Sequence, residues 1–533
     1  MALCLMIFIM LGFNLNIIPV SIMEARNFIT AREMLIDNNW LLTTMNGEPR
    51  YQKPPLPSWI CAVFGLVFGI KSTVAMRIPS LIFIVITGYF TGLIAKEVSK
   101  NRKLGFDVGL ILLTSFYVVA IAFEAPSDIY THGFMVMGIY QLVLVFRRNK
   151  AIAKRTLLAG IFIGCSILSK GPVSLYVLFL PFLMAYGLSF GYRNSKKWWL
   201  ILIGSISLAL LIGGWWYVYV RFQDAETFKS IAEKETGNWI SYNVRPFYYY
   251  WSFFVQSGMW TILAFIGLLY PYLRKRVRHR KAYKFSFYWT IISVLLLSII
   301  PEKKSRYLMP VLIPLAINTG FYVNYLVRNF KGSAKWQKKI PVYFHFGIMA
   351  LLSIGLPIVL FFLLKEELTN YMLSYVVLSL VLISIGVFLI IQLKRKNLRG
   401  AFQLNILFYV WLVALGLPLF NAFKADNYNP PTDLLDYSKS EGIPIYAVGH
   451  IAPEMIWEYG DKLEQLQFEN SLELPNQESF GILTDGLNEN DLRLIEQKFQ
   501  IKKSKVYDLN ISEANQSGYK GRLRSEFYLL ERK

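Results

Sequence analysis

Residues 370–392 read NYMLSYVVLSLVLISIGVFLIIQ, 23 positions without a charge. At 1.5 Å per residue such a run forms a helix long enough to cross the roughly 30 Å hydrocarbon core of a bilayer. Runs of the same character predict membrane helices over 2–20, 76–95, 105–123, 129–146, 156–169, 172–190, 198–218, 251–271, 285–300, 307–327, 340–363, 370–392 and 401–421, thirteen in all. Composition points the same way. Of 533 residues 55% are hydrophobic, 16% aromatic and 17% charged, with a mean hydropathy of +0.40, against about 25% charged residues in soluble domains. The net charge of +22 therefore argues for a membrane protein with basic loops and not for a nucleic-acid binder.

The charge is unevenly spread. Residues 422–533 carry 13 Lys/Arg and 19 Asp/Glu, whereas residues 1–421 carry 43 and 15. This predicts a polytopic α-helical membrane domain over 1–421, with interfacial helices in a first outer loop at 21–75, and a small soluble α/β domain over 422–533. In the tail, apolar runs at Ile443–Val448, Phe480–Leu483, Lys505–Leu509 and Glu526–Leu530 read as strands, and 452–459 and 489–499 as helices. Cys4, Cys61 and Cys165 all lie in apolar segments, without disulfide or zinc spacing. The first run, Ala2 to Val20, lacks a basic n-region and a small-residue cleavage site before Met23, so it reads as a membrane helix and not as a signal peptide.

Loop charge predicts orientation. With a cytoplasmic amino terminus, the inner loops 96–104, 147–155, 191–197, 272–284, 328–339 and 393–400 hold 28 of the 43 Lys/Arg and leave 15 elsewhere. The positive-inside rule favours this arrangement, which places the carboxyl terminus outside the cytoplasm.

Ionisable residues at membrane depth are costly unless paired or functional, and the outer loops concentrate them. Met23 to Leu35 has apolar Phe28, Ile29, Met34 and Leu35 at helical spacing and carries Glu24, Arg26, Arg32 and Glu33, the pattern of an amphipathic helix on the outer surface. Prolines 54, 55 and 57 forbid a helix there and hold Lys53 at the interface. Further outer loops carry Glu124 and Asp128, Lys170-Gly171-Pro172, and Pro301 to Tyr307. Lys303, Lys304 and Arg306 run against the positive-inside tendency, which is expected where an anion needs them. Charged residues also commonly flank helix ends, so any one loop could be structural; four with the same chemistry favour a site.

These residues resemble a known family. Glu24-Ala25-Arg26, Arg32-Glu33-Met34-Leu35, Trp40, Asn46-Gly47, Lys53-Pro54-Pro55-Leu56, Trp59 and Arg77-Ile78-Pro79-Ser80 are similar to a signature of membrane glycosyltransferases. So are Asp128, Lys170-Gly171-Pro172, Pro246 to Tyr250 and Lys304-Ser305-Arg306-Tyr307 with Pro310. The family is that of the 4-amino-4-deoxy-L-arabinose lipid A transferases and protein O-mannosyltransferases, of the GT-C superfamily, and the resemblance covers about residues 20–325. It implies a GT-C-like fold in the bacterial inner membrane and transfer of a sugar from a polyprenyl-phosphate carrier to a lipid-linked glycan or a protein at the outer face. Where family members often have a second acidic residue the chain has Met23, and where they have an acid before Lys-Pro-Pro it has Gln52; residues 219–250 contain no His. No metal site is implied, no cofactor is required, and dependence on a divalent ion is left open.

Chemistry gives the same residues roles. A lipid-phosphate-linked sugar presents its phosphate and anomeric carbon at the interface, so a transferase needs cations for the leaving phosphate and a carboxylate for the nucleophile. Arg26, Lys53, Lys303, Lys304 and Arg306, with Tyr307 as a neutral donor, are the expected phosphate clamp. Glu24 is the expected base and Asp128 a positioning carboxylate, with Glu124 in reserve; Lys170 and Arg245 are weaker candidates. A glycolipid transporter or flippase is the main alternative, and a non-enzymatic membrane sensor a second. A transporter would place ionisable groups near the midplane and repeat its halves, whereas here the helix centres are nearly free of charge.

Overall fold

The computed structural model of the chain describes residues 1–124, 126–192, 198–331, 336–365, 367–466, 475–487 and 489–533. The predicted inner loops 191–197 and 328–339 lie partly outside these residues, as does Ala125 of the predicted Glu124–Asp128 loop. Among the described residues nine helices are long and apolar enough to cross a membrane: Thr73–Ser99, Pro126–Arg148, Ile152–Lys170, Trp198–Gln223, Arg280–Ile299, Ser305–Asn329, Lys339–Leu363, Leu368–Lys394 and Leu398–Phe423. A tenth candidate is the pair Arg102–Leu113 and Phe116–Glu124, bent by 50°.

The expected count of thirteen is not confirmed among the described residues, and the three runs that fall short show local features. Over 2–20 the apolar helix is Ala2–Gly12 alone; beyond it Asn14 donates from Nδ2 to the Ala414 carbonyl at 2.8 Å instead of continuing the helix. Over 172–190 it is Leu175–Phe190, its entry made by a turn in which the Leu175 N–H donates to the Pro172 carbonyl at 3.0 Å. Over 251–271 the chain forms short pieces, Phe253–Trp260, Thr261–Gly267 and Tyr270–Arg274. Gly258 there takes φ +64°, outside the right-handed helical region, and Pro271 opens a new turn.

By compactness the chain divides into two units, and the division differs from the expected boundary at 421/422. The first unit comprises 1–15, 51–57 and 77–419; the second comprises 16–50, 58–76 and 420–533, so most of the first outer loop groups with the tail and not with the membrane helices.

In the first unit, Pro126–Arg148 packs along Ile152–Lys170, which packs along Trp198–Gln223, and Arg280–Ile299 packs against both Leu180–Phe190 and the Met309–Asn329 helix. One buried charge inside it is paired across two helices. Asp107, almost fully buried, takes two 2.7 Å contacts from Nη1 of Arg399 and so ties Arg102–Leu113 to Leu398–Gly416.

The second unit contains the predicted α/β tail, with strands where the apolar runs placed them. Ile445–Val448 pairs in parallel with Glu464–Gln465 on one side and Ser479–Thr484 on the other; Arg524–Arg532 runs antiparallel between Ser479–Thr484 and Phe499–Asp508. Helices Pro453–Tyr459 and Glu489–Lys498 complete it. The Ile22–Ile36 helix packs on Pro453–Tyr459, with Phe28 edge-on to Trp457 at 5.3 Å in a core that includes Met34, Met455, Leu483 and Phe527. This corrects the expected surface helix: from Glu24 to Met34 every residue but Arg26 is buried.

Its polar face is covered as well, and Thr30, Arg32 and Glu33 each find hydrogen-bond partners there. Thr30 donates to the Thr44 carbonyl at 2.9 Å, and Arg32 donates to the Asp461 carbonyl at 3.0 Å. Glu33 accepts from Thr44 Oγ1 at 2.5 Å and from the Asn46 and Gly47 backbone N–H groups at 2.6 and 3.3 Å, which holds the hairpin of strands Thr44–Met45 and Glu48–Pro49. The charges that made this helix look solvent-facing are what attach it to its neighbours.

Candidate active site

Within the membrane unit the site forms where four helix ends and two loops bring charge together. Asp128 lies in the first turn of Pro126–Arg148. Lys170 is the last residue of Ile152–Lys170, a helix ended by Gly171 at φ +79°, a conformation suited to glycine. The two side chains form an ion pair in which Asp128 is 2% and Lys170 13% exposed. One turn beyond Asp128, buried His132 places Nδ1 2.7 Å from Ser174 Oγ.

The 301–307 loop supplies the facing wall. Lys170 Nζ lies 5.3 Å from the centre of the Tyr307 ring. Tyr307 donates its hydroxyl to Glu302 Oε1 at 3.1 Å, and Lys304 Nζ pairs with the same oxygen at 2.6 Å. Tyr250 fixes the loop by accepting from the Lys304 N–H at 3.0 Å and donating to the Lys304 carbonyl at 3.1 Å, while Tyr249 Oη lies 3.2 Å from Ser305 Oγ. Arg306 sits with its guanidinium 5.7 Å from the Tyr307 ring centre. Its charge bears on Asp128 and Lys170, and that of Lys53 bears on Lys170. Among the described residues Arg306 Nε is buried without a hydrogen-bond acceptor, an arrangement that costs about 1–3 kcal/mol until an acceptor arrives.

Lys53 makes a half-exposed ion pair with Glu235 at 3.4 Å, and its neighbour Tyr51 donates to Asp224 Oδ2 at 3.0 Å. Burial, reinforced by that carboxylate, pushes the Tyr51 hydroxyl up to about 12. Glu124 accepts from the Tyr117 hydroxyl at 2.6 Å. The structure thus groups Asp128, Lys170, Lys304, Arg306 and Tyr307, with Lys53 in electrostatic range.

One expected clamp member, Lys303, and one weaker candidate, Arg245, make loop contacts in the structure. The Lys303 ammonium donates to the carbonyls of Ile300 at 2.5 Å, Arg245 at 3.0 Å and Pro301 at 3.4 Å, and burial lowers its pKa; these contacts hold the loop together. Arg245 joins the same loop through its backbone N–H to the Pro301 carbonyl at 3.2 Å, and its side chain is exposed. Alanine at Lys303 is therefore expected to lower the unfolding midpoint with little change in carrier-phosphate affinity. Alanine at Arg306 is expected to weaken that affinity about ten- to hundredfold, the equivalent of one charge-assisted bond of about 1.5–3 kcal/mol. Titration of both purified variants with polyprenyl phosphate separates the roles, and equal losses would reject the distinction.

In the second unit Glu24 is fully buried and belongs to a capping box. Its Oε2 accepts from the Ser21 N–H at 3.0 Å, and its own N–H donates to Ser21 Oγ at 3.3 Å. Beside it Arg50 donates to Thr30 Oγ1 at 3.0 Å and Asn27 Oδ1 at 3.2 Å. Burial, with the charge of Arg26 adding to it, pulls the Arg50 guanidinium down to about 10. Arg50, Glu33, His132, Tyr250 and Glu302 were not among the expected site residues. Of these His132 was findable, since it falls four residues after Asp128 and therefore on the same helix face. Among the described residues no three His, Cys, Asp or Glu side chains gather as ligands for one metal ion.

Comparison with known proteins agrees with this architecture. A family model described as dolichyl-phosphate-mannose-protein mannosyltransferase matches residues 52–217. An uncharacterized protein of Aquifex aeolicus is 27% identical over 65% of this chain and 66% of its own length. Undecaprenyl phosphate-alpha-4-amino-4-deoxy-L-arabinose arabinosyl transferase 2 of Proteus mirabilis is 24% identical over 58% of this chain and 56% of its own. The chain therefore aligns with somewhat less than two-thirds of these relatives. The crystal structure of ArnT from Cupriavidus metallidurans bound to undecaprenyl phosphate superposes with a TM-score of 0.68 over 99% of this chain and 96% of that one, at 15% identity. The chain resembles the arabinosyl transferases and shares the GT-C fold of that structure, a polytopic helical bundle with a small carboxyl-terminal sheet domain.

Proposed function

We propose that this chain is an integral-membrane glycosyltransferase that moves a hexose or pentose from a polyprenyl-phosphate carrier to a lipid-linked glycan, or to a protein hydroxyl, at the outer face of a bacterial inner membrane. The observation that carries the reading is the buried, acceptor-less Arg306 Nε beside Tyr307 and the Asp128–Lys170 pair. A phosphate oxygen completes that group. Arg306 supplies a directional donor, Lys53 and Lys304 supply charge that exchanges from Glu235 and Glu302 to the phosphate, and Tyr307 supplies a neutral hydroxyl.

The reaction is a single displacement. The acceptor oxygen bonds to the anomeric carbon as the carbon–oxygen bond to phosphate breaks, the electron pair leaves with polyprenyl phosphate, and the anomeric configuration inverts. The acceptor proton goes to a carboxylate, for which Glu24 is the proposed base and Asp128 the group that holds Lys170 in place. The activated sugar–phosphate bond drives transfer, so no organic cofactor enters the scheme. Incubation of the purified protein with a polyprenyl-phosphate sugar and envelope lipids tests the reading: release of polyprenyl phosphate matched by a mass gain on an acceptor supports it. Movement of the glycolipid across vesicles without a new glycosidic bond would replace it with transport.

The proposed orientation, amino terminus inside and carboxyl terminus outside, has its own check. Alkaline phosphatase fused after Lys533 is expected to be active and a green fluorescent fusion dark; the reverse pattern overturns the orientation.

A further inference from the structure

The Pro126–Arg148 helix has a second charged end. Arg147 lies nineteen residues beyond Asp128, about 28 Å away along the helix, and opens onto a cavity of about 700 Å³ between the helix ends. Lys96 and Lys100 reach it from the end of Thr73–Ser99, Arg102 from the start of Arg102–Leu113, and Lys281 from the start of Arg280–Ile299. Among the described lining residues the only carboxylate is Glu97, and Arg148 holds it through two contacts of 3.0 and 2.5 Å. Among the described residues the five further cations of the wall form no salt bridge.

Helix dipoles account for part of this, because Lys96 and Arg147 lie in the last turns of their helices. They work against Arg102 and Lys281, which sit at helix starts where the backbone already presents positive charge. Electrostatic self-repulsion of this kind is relieved by a bound anion. The wall also has an apolar part, Tyr186 and Phe190, and the Arg147 guanidinium stacks 4.9 Å from the Phe190 ring centre. On the same short helix Met184 and Leu188 are exposed apolar side chains, so the cavity adjoins surface suited to acyl chains.

We propose that this cavity binds the phosphate of an anionic phospholipid headgroup, separate from the Asp128–Lys170 site. The volume is in the range of small-molecule sites, and basic pockets between membrane helices hold such headgroups by charge and by forked arginine bonds. The phosphate lies among Lys100, Arg102 and Lys281, and the glycerol against Phe190.

The test is native mass spectrometry of the full-length protein in mild detergent with equal phosphatidylglycerol and phosphatidylcholine. Wild type is expected to retain phosphatidylglycerol at least about tenfold better, and Lys100→Ala/Arg102→Ala/Lys281→Ala to lose that preference with an unchanged unfolding midpoint. If the triple variant does not fold, the single reversals Lys100→Glu and Lys281→Glu carry the same expectation. Equal retention of both lipids by wild type, or an undiminished preference in the variants, overturns the proposal. So does displacement of the lipid by millimolar inorganic phosphate, which assigns the cavity to a soluble anion.

Discussion

Glu24→Gln lowers glycosyl transfer by about two to four orders of magnitude, the range for loss of a general base, with the fold intact. The substitution is informative because Glu24 has a structural duty that glutamine can also perform. Its Oε2 accepts from the Ser21 N–H, and its backbone donates to Ser21 Oγ. Glutamine serves equally well at that position of a capping box, so the cap survives while the proton acceptor is lost. Glu24→Ala removes both and costs about a further 1 kcal/mol of stability. The measurements are turnover with a polyprenyl-phosphate sugar and the thermal midpoint of the same preparations. Near-normal turnover in Glu24→Gln reduces Glu24 to its cap and passes the role of base to Asp128.

Asp128→Asn strands Lys170. The pair is nearly sealed from solvent, and removing one partner of a buried ion pair costs about 3–5 kcal/mol because the other charge is left uncompensated. Transfer is lost with it, since Lys170 then no longer holds its place over the Tyr307 ring. Asp128→Leu/Lys170→Met removes both charges, and apolar replacement of a buried pair is often close to neutral. The double variant is therefore expected to regain most of the unfolding midpoint and none of the transfer. Recovery of both would make the pair purely structural, and an unchanged midpoint in Asp128→Asn would mean that the pair is solvated.

The membrane-spanning character, the α/β tail and most of the residues that converge on the site follow from the chain read in order. Long uncharged runs such as 370–392 have no alternative to a helix in a bilayer, because every backbone polar group must be satisfied internally. The strands at 445–448 and 479–484 announce themselves as short apolar runs between turn residues. Asp128, Lys170 and Arg306 stand out for the same reason, since charge beside apolar helix ends is costly without a partner. Partnership is what order along the chain does not encode. Lys303 and Arg306 are three residues apart and chemically alike, yet one ammonium is used up on three carbonyls while the other cation keeps a buried donor without an acceptor. Helix Ile22–Ile36 has the spacing of a surface helix, yet its polar face is buried because Arg50, Thr44, Asn46 and the Asp461 carbonyl, the last of them more than four hundred residues away, meet its side chains. Apolar periodicity is a local property and reports where a helix can lie. Whether a charge caps, pairs or waits for a ligand depends on which distant groups the tertiary fold brings within about 3 Å of it, where hydrogen bonds form.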